Sequence, residues 1–229
     1  DTRAKGAFRM YSARVLLLLF LVIGSSHVQA EKSSDPVPIG AILPLSGGAA
    51  GYGVACMNAF TMAIEDNKDR ASQKFTLHVE DDQNTPQKTL TALRNLQSKH
   101  SPKIVFSWSS SASKAINNLA EREGFVLVAT AASDFELVRG KKNVFTHWVS
   151  PESESHTLAA ELKRRGLKRV AMLTGMQAGL VSIRQAFVSV AKQYGIEIVL
   201  DQELDTSEKD FRTILSRLKG IPGLDAIFD

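Results

Sequence analysis

Ile39-Gly-Ala-Ile-Leu-Pro-Leu-Ser-Gly-Gly-Ala-Ala-Gly-Tyr-Gly53 decides the fold, because an apolar run enters a glycine-rich turn and the turn opens a segment of helical period. Met57, Phe60 and Ile64 continue that segment on one face, which Cys56 shares at four-residue spacing with Phe60 and Ile64. This placement predicts a core cysteine rather than a reactive thiol, and a single cysteine cannot close an internal disulfide. Outward from this unit the pattern repeats. Apolar runs at 39–43, 75–79, 103–106, 125–128, 144–148, 169–173, 196–200 and 226–228 alternate with helical faces. Leu90, Leu93 and Leu96 form one face, and Ala112, Ile116, Leu119 and Ala120 another. Ile183, Phe187, Val190, Ala191 and Tyr194 form a longer stripe, with Gly195 as its C-cap. Ser207 with Asp210 resembles a capping box ahead of Phe211, Ile214, Leu215 and Leu218.

Strand, helix, strand, repeated, requires right-handed crossovers between parallel strands with helices on both faces. The predicted class is α/β, an open doubly wound sheet. Ligands of such sheets bind at the carboxyl ends of the strands, where loops starting at Leu45, Asp81, Ser107 and Ala129 gather.

Upstream, Met10 to Ala30 has the parts of a secretion signal: Arg14, an apolar core from Val15 to Gly24, and Val28-Gln-Ala30 as a cleavage site. The core is about ten residues against the ~20 of a membrane span. Glu31 is the expected mature N-terminus, and residues 1–9 are an upstream extension. The expected location is the periplasm, reached through a cleaved signal peptide. Residues 1–30 hold four of the 28 basic and one of the 24 acidic residues, leaving a formal charge of +1. With no basic patch or stripe apparent, a nucleic-acid partner is not expected. The expected divisions are residues 1–30 as extension and signal peptide, 31–149 as a first lobe, and 150–229 as a partial second lobe. The boundary near Ser150 follows the polar, basic run 134–143; the last run, Ile227-Phe-Asp229, stops within a strand pattern and reads as a truncated lobe.

The loop Ser46–Gly53 has neither G-x-G-x-x-G nor the Lys-Ser end of a P-loop, so it suits a small ligand or a flexible backbone better than a nucleotide. Tyr52 stands where it can cover an apolar ligand group. Ser107-Trp-Ser-Ser-Ser-Ala-Ser113 joins the third strand to a helix, and hydroxyls with free amides at a helix N-terminus suit a carboxylate. Simple N-capping by one serine is the competing reading. Ser111-Ala-Ser-Lys114 matches S-x-x-K, the mark of secreted serine acyltransferases, yet Ser133-Asp-Phe135 falls short of S-D-N and K-T-G is absent from the sequence. Thr130-Ala-Ala-Ser-Asp134 offers further hydroxyls and amides at the same sheet edge. Glu80-Asp-Asp82 could hold magnesium in a cytoplasmic phosphoacceptor, which a secretion signal argues against. The histidines lack metal-ligand spacing and no G-x-S-x-G elbow occurs. No catalytic residue, metal or cofactor is expected.

Taken together, these segments resemble the type I periplasmic binding proteins, specifically the branched-chain amino-acid (Leu/Ile/Val) binding family of ABC importers. The resemblance covers Val37 to Asp229. It rests on Leu45-Ser-Gly47 with Tyr52-Gly53, Asp81-Asp82, Ser109-Ser-Ser111, Thr130-Ala-Ala-Ser133 with Glu136-Leu137, and Glu208-Lys-Asp-Phe211. It implies two α/β lobes closing on a ligand, no catalysis, a monomer, and an ABC permease as partner. By resemblance, Ser110, Ala131 and Ser133 bind the ends of an amino acid or related small carboxylate or amide, Tyr52 flanks its side chain, and Trp108 with Ser109 line the wall. Gln177-Ala-Gly179 stands where the family often has an aromatic Tyr-Gly pair, and Trp108 is bulkier than the family pattern leads one to expect. A ligand-sensing lobe of a regulatory receptor is the alternative within the same fold.

Overall fold

The computed structural model describes residues 35–229; the predicted leader lies outside the described residues. Eight strands form two parallel sheets, β1 to β5 in the first and β6 to β8 in the second. The strands are β1 Val37–Leu43, β2 Phe75–Asp81, β3 Ile104–Ser107, β4 Val126–Ala129, β5 Val144–Thr146, β6 Arg169–Gly175, β7 Glu197–Leu204 and β8 Ala226–Phe228. The helices between them are α1 Ala50–Asn67, α2 Pro86–His100, α3 Ser110–Glu123, α4 Pro151–Arg164, α5 Ala178–Ala191 and α6 Arg212–Lys219. The first sheet runs in the order β2-β1-β3-β4-β5 and the second β7-β6-β8. The strand order therefore reverses beside β1 in one sheet and beside β6 in the other, and each reversal leaves a crevice beyond the carboxyl ends of the strands.

Alternation along the strands sends their side chains to two helical layers. Ile42, Val105 and Leu127 join Leu93 and Leu96 of α2 and Ile116 and Ala120 of α3 in one buried cluster. On the other face Phe106 meets Phe60 of α1, ring centroids 4.7 Å apart. The second sheet is covered by Ala159, Leu162, Phe187 and Val190 from α4 and α5 on one side. Ile214 and Leu218 of α6 pack on Ala171 on the other. Gly195, at φ +72°, ends the short 3-10 turn after α5 as its left-handed C-cap.

Three local expectations change. The face of α1 is only half-buried: Cys56, Met57, Phe60 and Ile64 keep partial exposure, and Gly53 is the one fully buried residue of the helix. Among the described residues most of this helix is exposed, including Val54, Ala55, Asn58, Ala59 and Met62. Ser207 does not cap α6, because its N–H and hydroxyl both donate to Asp205 Oδ1. The helix begins at Arg212, whose N–H donates to Asp210 Oδ1 at 3.1 Å. The fifth strand ends at Thr146 rather than Trp148: the Thr146 hydroxyl donates to Ala132 O at 2.9 Å, and Trp148 is left outside the ladder.

Candidate functional site

The opening turn is fixed from two directions. Asp81, the last residue of β2, accepts from Leu45 N at 2.8 Å, Ser46 Oγ at 2.5 Å and Gln83 N at 2.9 Å. Burial alone would raise its pKa, but the Ser46 hydroxyl and these backbone donors bring it below the usual carboxylate range. Asp82 beside it is fully buried, accepting from Asn84 N and the Thr89 hydroxyl, each at 2.8 Å. Its pKa is raised because burial outweighs those bonds. The acidic pair therefore holds loops in place. Gly53 is a close-approach glycine: a Cβ there would lie 1.9 Å from the Pro44 carbonyl oxygen. No other residue lets the first turn of α1 settle on the end of β1, and that contact sets the position of Tyr52.

The five serines from Ser107 to Ser113, the first of them ending β3, divide into two groups. Ser107 and Ser113 are fully buried and bond each other through their hydroxyls at 2.7 Å, so they tie strand to helix. Ser109, Ser110 and Ser111 line an open cavity of about 720 Å³. Ser109 also caps α3, accepting from Ala112 N at 3.3 Å, and its hydroxyl donates to Asn84 Oδ1 at 2.6 Å. Its backbone sits at φ +68°, ψ +156°, a region nearly reserved for glycine, with a strain of about 1–3 kcal/mol. Gln83 and Asn84 also have positive φ and line the same cavity. Of the four non-glycine residues with positive φ among the described ones, three meet at this wall.

Ser110 Oγ accepts from Asp134 N at 3.1 Å, joining the α3 N-terminus to the loop after β4. Asp134 Oδ2 accepts from Lys114 Nζ at 2.7 Å and its Oδ1 from Glu136 N at 3.0 Å. Lys114, the lysine of the S-x-x-K match, is thus engaged by a buried carboxylate. All six residues singled out from the sequence, Tyr52, Trp108, Ser109, Ser110, Ala131 and Ser133, line this one cavity. Tyr52 and Trp108 stack, centroids 5.4 Å apart and planes 20° from parallel.

Sequence reasoning missed Gln83, Asn84, Trp148, Leu180, Ile183 and Thr206, whereas Gln177 and Gly179, marked as the place of the family's Tyr-Gly pair, do line the cavity from the second sheet. Asn84 carried a signal, since it follows the carboxyl end of β2; Trp148 carried none while it read as strand. Gly179, in the first turn of α5, lies close against the loops of the first sheet: a Cβ there would stand 2.6 Å from Ser133 Oγ and 2.9 Å from Ser110 Oγ. The α5 N-terminus has no side-chain cap, and residues of its first turn line the same cavity as the first residues of α3. Two parallel sheets place their strand-order reversals and two helix N-termini around one cavity, which defines a two-lobed α/β fold.

A family profile described as periplasmic binding protein matches residues 36–228. The chain belongs to that family. It is similar to the Leu/Ile/Val-binding protein BraC3 of Rhizobium johnstonii, 24% identical over 209 residues, covering 89% of this chain and 57% of that relative. A solute-binding protein of an ABC transporter from Rhodopseudomonas palustris BisB5, solved with 3,4-dihydroxybenzoic acid, superposes with a TM-score of 0.76 at 22% identity, covering 84% of this chain and 53% of that one. LivJ of Streptococcus pneumoniae, a branched-chain amino-acid transporter substrate-binding protein solved with isoleucine, gives 0.74 at 20% identity, covering 84% of this chain and 56% of its own. The chain thus spans little more than half the length of these relatives, and the shared fold is that of type I periplasmic binding proteins.

Proposed function

We propose that this protein is a non-catalytic solute-binding component of an ABC importer. It captures an amino acid or related small carboxylate between lobes 31–149 and 150–229 and delivers it, as a monomer, to a membrane permease. One observation carries the reading: Ser110 and Ser133 stand at the α3 and β4 loop ends of one sheet, and the uncapped α5 N-terminus of the other closes directly over them. Orphan N–H groups and the positive ends of two helix dipoles favour an anion there, by about 0.3–1 kcal/mol per dipole at an exposed site and more when partly buried. The relatives solved with isoleucine and dihydroxybenzoic acid both hold carboxylates. The family and the sequence signal before Glu31 support a periplasmic location; among the described residues no helix is long and apolar enough to cross a membrane.

The test is calorimetric titration of the full chain with small carboxylates, followed by Ser110→Ala and Ser133→Ala. Each substitution removes a partner of a charged group and is expected to weaken binding by about 1–3 kcal/mol. Unchanged affinity in both variants overturns the site, and the absence of binding to any carboxylate overturns the function.

A further inference from the structure

We infer that the distal pole of the second lobe, the edge where α4, α5 and α6 end, is a docking surface for an anionic lipid bilayer. This surface lies apart from the cleft and adds membrane attachment to ligand capture.

Residues 150–229 hold 11 Lys and Arg and 11 Asp and Glu, so the lobe has no net formal charge. The fold separates those charges. In a parallel sheet joined by helices, strand starts and helix ends share the edge opposite the ligand cleft. Lys163, Arg164 and Arg165 stand there at the end of α4, Lys168 and Arg169 at the start of β6, Lys192 after α5 and Lys219 at the end of α6. Backbone bonds tie these ends together: Glu197 N donates to Lys168 O at 2.7 Å, Ile196 N to Ala191 O at 3.1 Å and Asp225 N to Arg169 O at 2.9 Å. Three carboxylates share the edge, and each is already engaged. Glu161 accepts from Arg164 and Arg165, Glu197 from Arg169, and Asp225 from the N–H groups of Lys168 and Arg169. Lys163, Lys168, Lys192 and Lys219 are exposed, with no carboxylate at ion-pair distance among the described residues. Seven cations against three carboxylates leave the pole at a formal +4 and the rest of the lobe at −4. A cation at a helix C-terminus offsets the dipole there, which accounts for its place but does not neutralise it.

The four free ammonium groups belong to four separate ends rather than to one pocket, so they match a charged plane better than a single small anion. An anionic bilayer gains about fivefold in affinity for each Lys or Arg near its surface. The same bilayer repels the acidic remainder of the lobe, with Glu152 and Glu154 in the first turn of α4 and Asp205, Glu208 and Asp210 ahead of α6. Attachment is therefore polarised, with the pole on the lipid and the cleft held away from it. The proposed periplasmic location puts a bilayer, not nucleic acid, within reach.

The experiment is co-sedimentation of the full chain at low salt with vesicles of phosphatidylcholine, alone or mixed equally with phosphatidylglycerol. Two variants are compared: Lys163→Gln with Lys192→Gln at the pole, and Lys209→Gln with Arg212→Gln at the cleft edge. Each pair removes two positive charges from exposed side chains, and the leader, common to all, cancels in the comparison. The pole pair is expected to weaken binding to the mixed vesicles about 25-fold and the cleft-edge pair by less than about twofold. Added salt should weaken the unsubstituted chain's binding. Equal losses in the two pairs overturn the pole as the docking surface. Binding to mixed vesicles no tighter than to phosphatidylcholine alone overturns membrane docking, and tighter binding to a DNA duplex than to the mixed vesicles assigns the pole to nucleic acid instead. Each of these outcomes leaves ligand capture in the cleft standing.

Discussion

Gly179→Ala is the sharpest probe of how the two sheets meet. A methyl group built there lies 2.6 Å from Ser133 Oγ and 2.9 Å from Ser110 Oγ, while the Ser110 Cβ is at 3.6 Å. The clash is thus with two oxygens and not with carbon. Turning the Ser110 hydroxyl away would break its bond from Asp134 N at 3.1 Å and leave that buried N–H without a partner. Such a loss is worth about 1–3 kcal/mol. Replacing glycine by alanine inside a helix gains about 0.5–1 kcal/mol in return. The net expectation is destabilisation by about 0.5–2 kcal/mol, together with weaker ligand binding because α5 stands off the serines. In a Ser110→Ala, Ser133→Ala background both oxygens are gone and the nearest remaining atom is the residue-110 Cβ, at an ordinary 3.6 Å. The same Gly179→Ala change should there stabilise, by about 0.5–1 kcal/mol. Urea unfolding of the four proteins in this cycle measures the coupling. An equal cost of Gly179→Ala in both backgrounds would refute the argument that the hydroxyls set the approach of α5.

Further expectations follow from the same geometry. Gly53→Ala drives a methyl into the Pro44 carbonyl, which is backbone and cannot rotate aside, so unfolding should show a loss of at least about 1–3 kcal/mol. A wild-type midpoint would show that α1 shifts freely. Ser109→Gly removes a strain of about 1–3 kcal/mol at a loss of a few tenths as an N-cap, so thermal stability should rise while the missing bond to Asn84 loosens the wall and lowers affinity. Reduced stability would contradict the strain assignment. His78 stacks on His100 with centroids 3.6 Å apart, and burial followed by the charge of His100 lowers its pKa. The unfolded chain then binds the proton more readily, so the pair's contribution is full above about pH 6.5 and is lost as pH falls through the lowered folded value. Stability measured from pH 7.5 to 5 should drop less in His78→Phe; identical slopes would remove the pair from the account.

Strand-to-helix alternation made the parallel α/β class legible from sequence, because apolar runs of strand length and stripes of helical period are local properties. The candidate residues were legible for a related reason. In a parallel sheet all loops that follow strands emerge at one edge, so glycines, serines and small residues after strands 1, 3 and 4 had to gather whatever their pairing order. Periodicity could not reveal which serines face the cavity. Ser107 and Ser113 are as polar as Ser110, and only the packing of α3 on the sheet buries the first two against each other and leaves the third, at 3% exposure, in the cavity wall.

The sequence by itself determined the order of elements, the edge where a ligand would bind and the chemistry available there, since each depends on neighbours a few residues apart. Tertiary structure alone decided that Trp148 leaves its strand, that Ser109 bears strain, and that Gly179 closes on Ser110 and Ser133. These last depend on contacts between groups 14 to 69 residues apart in the chain, set by how the sheets and helices come together rather than by local propensity.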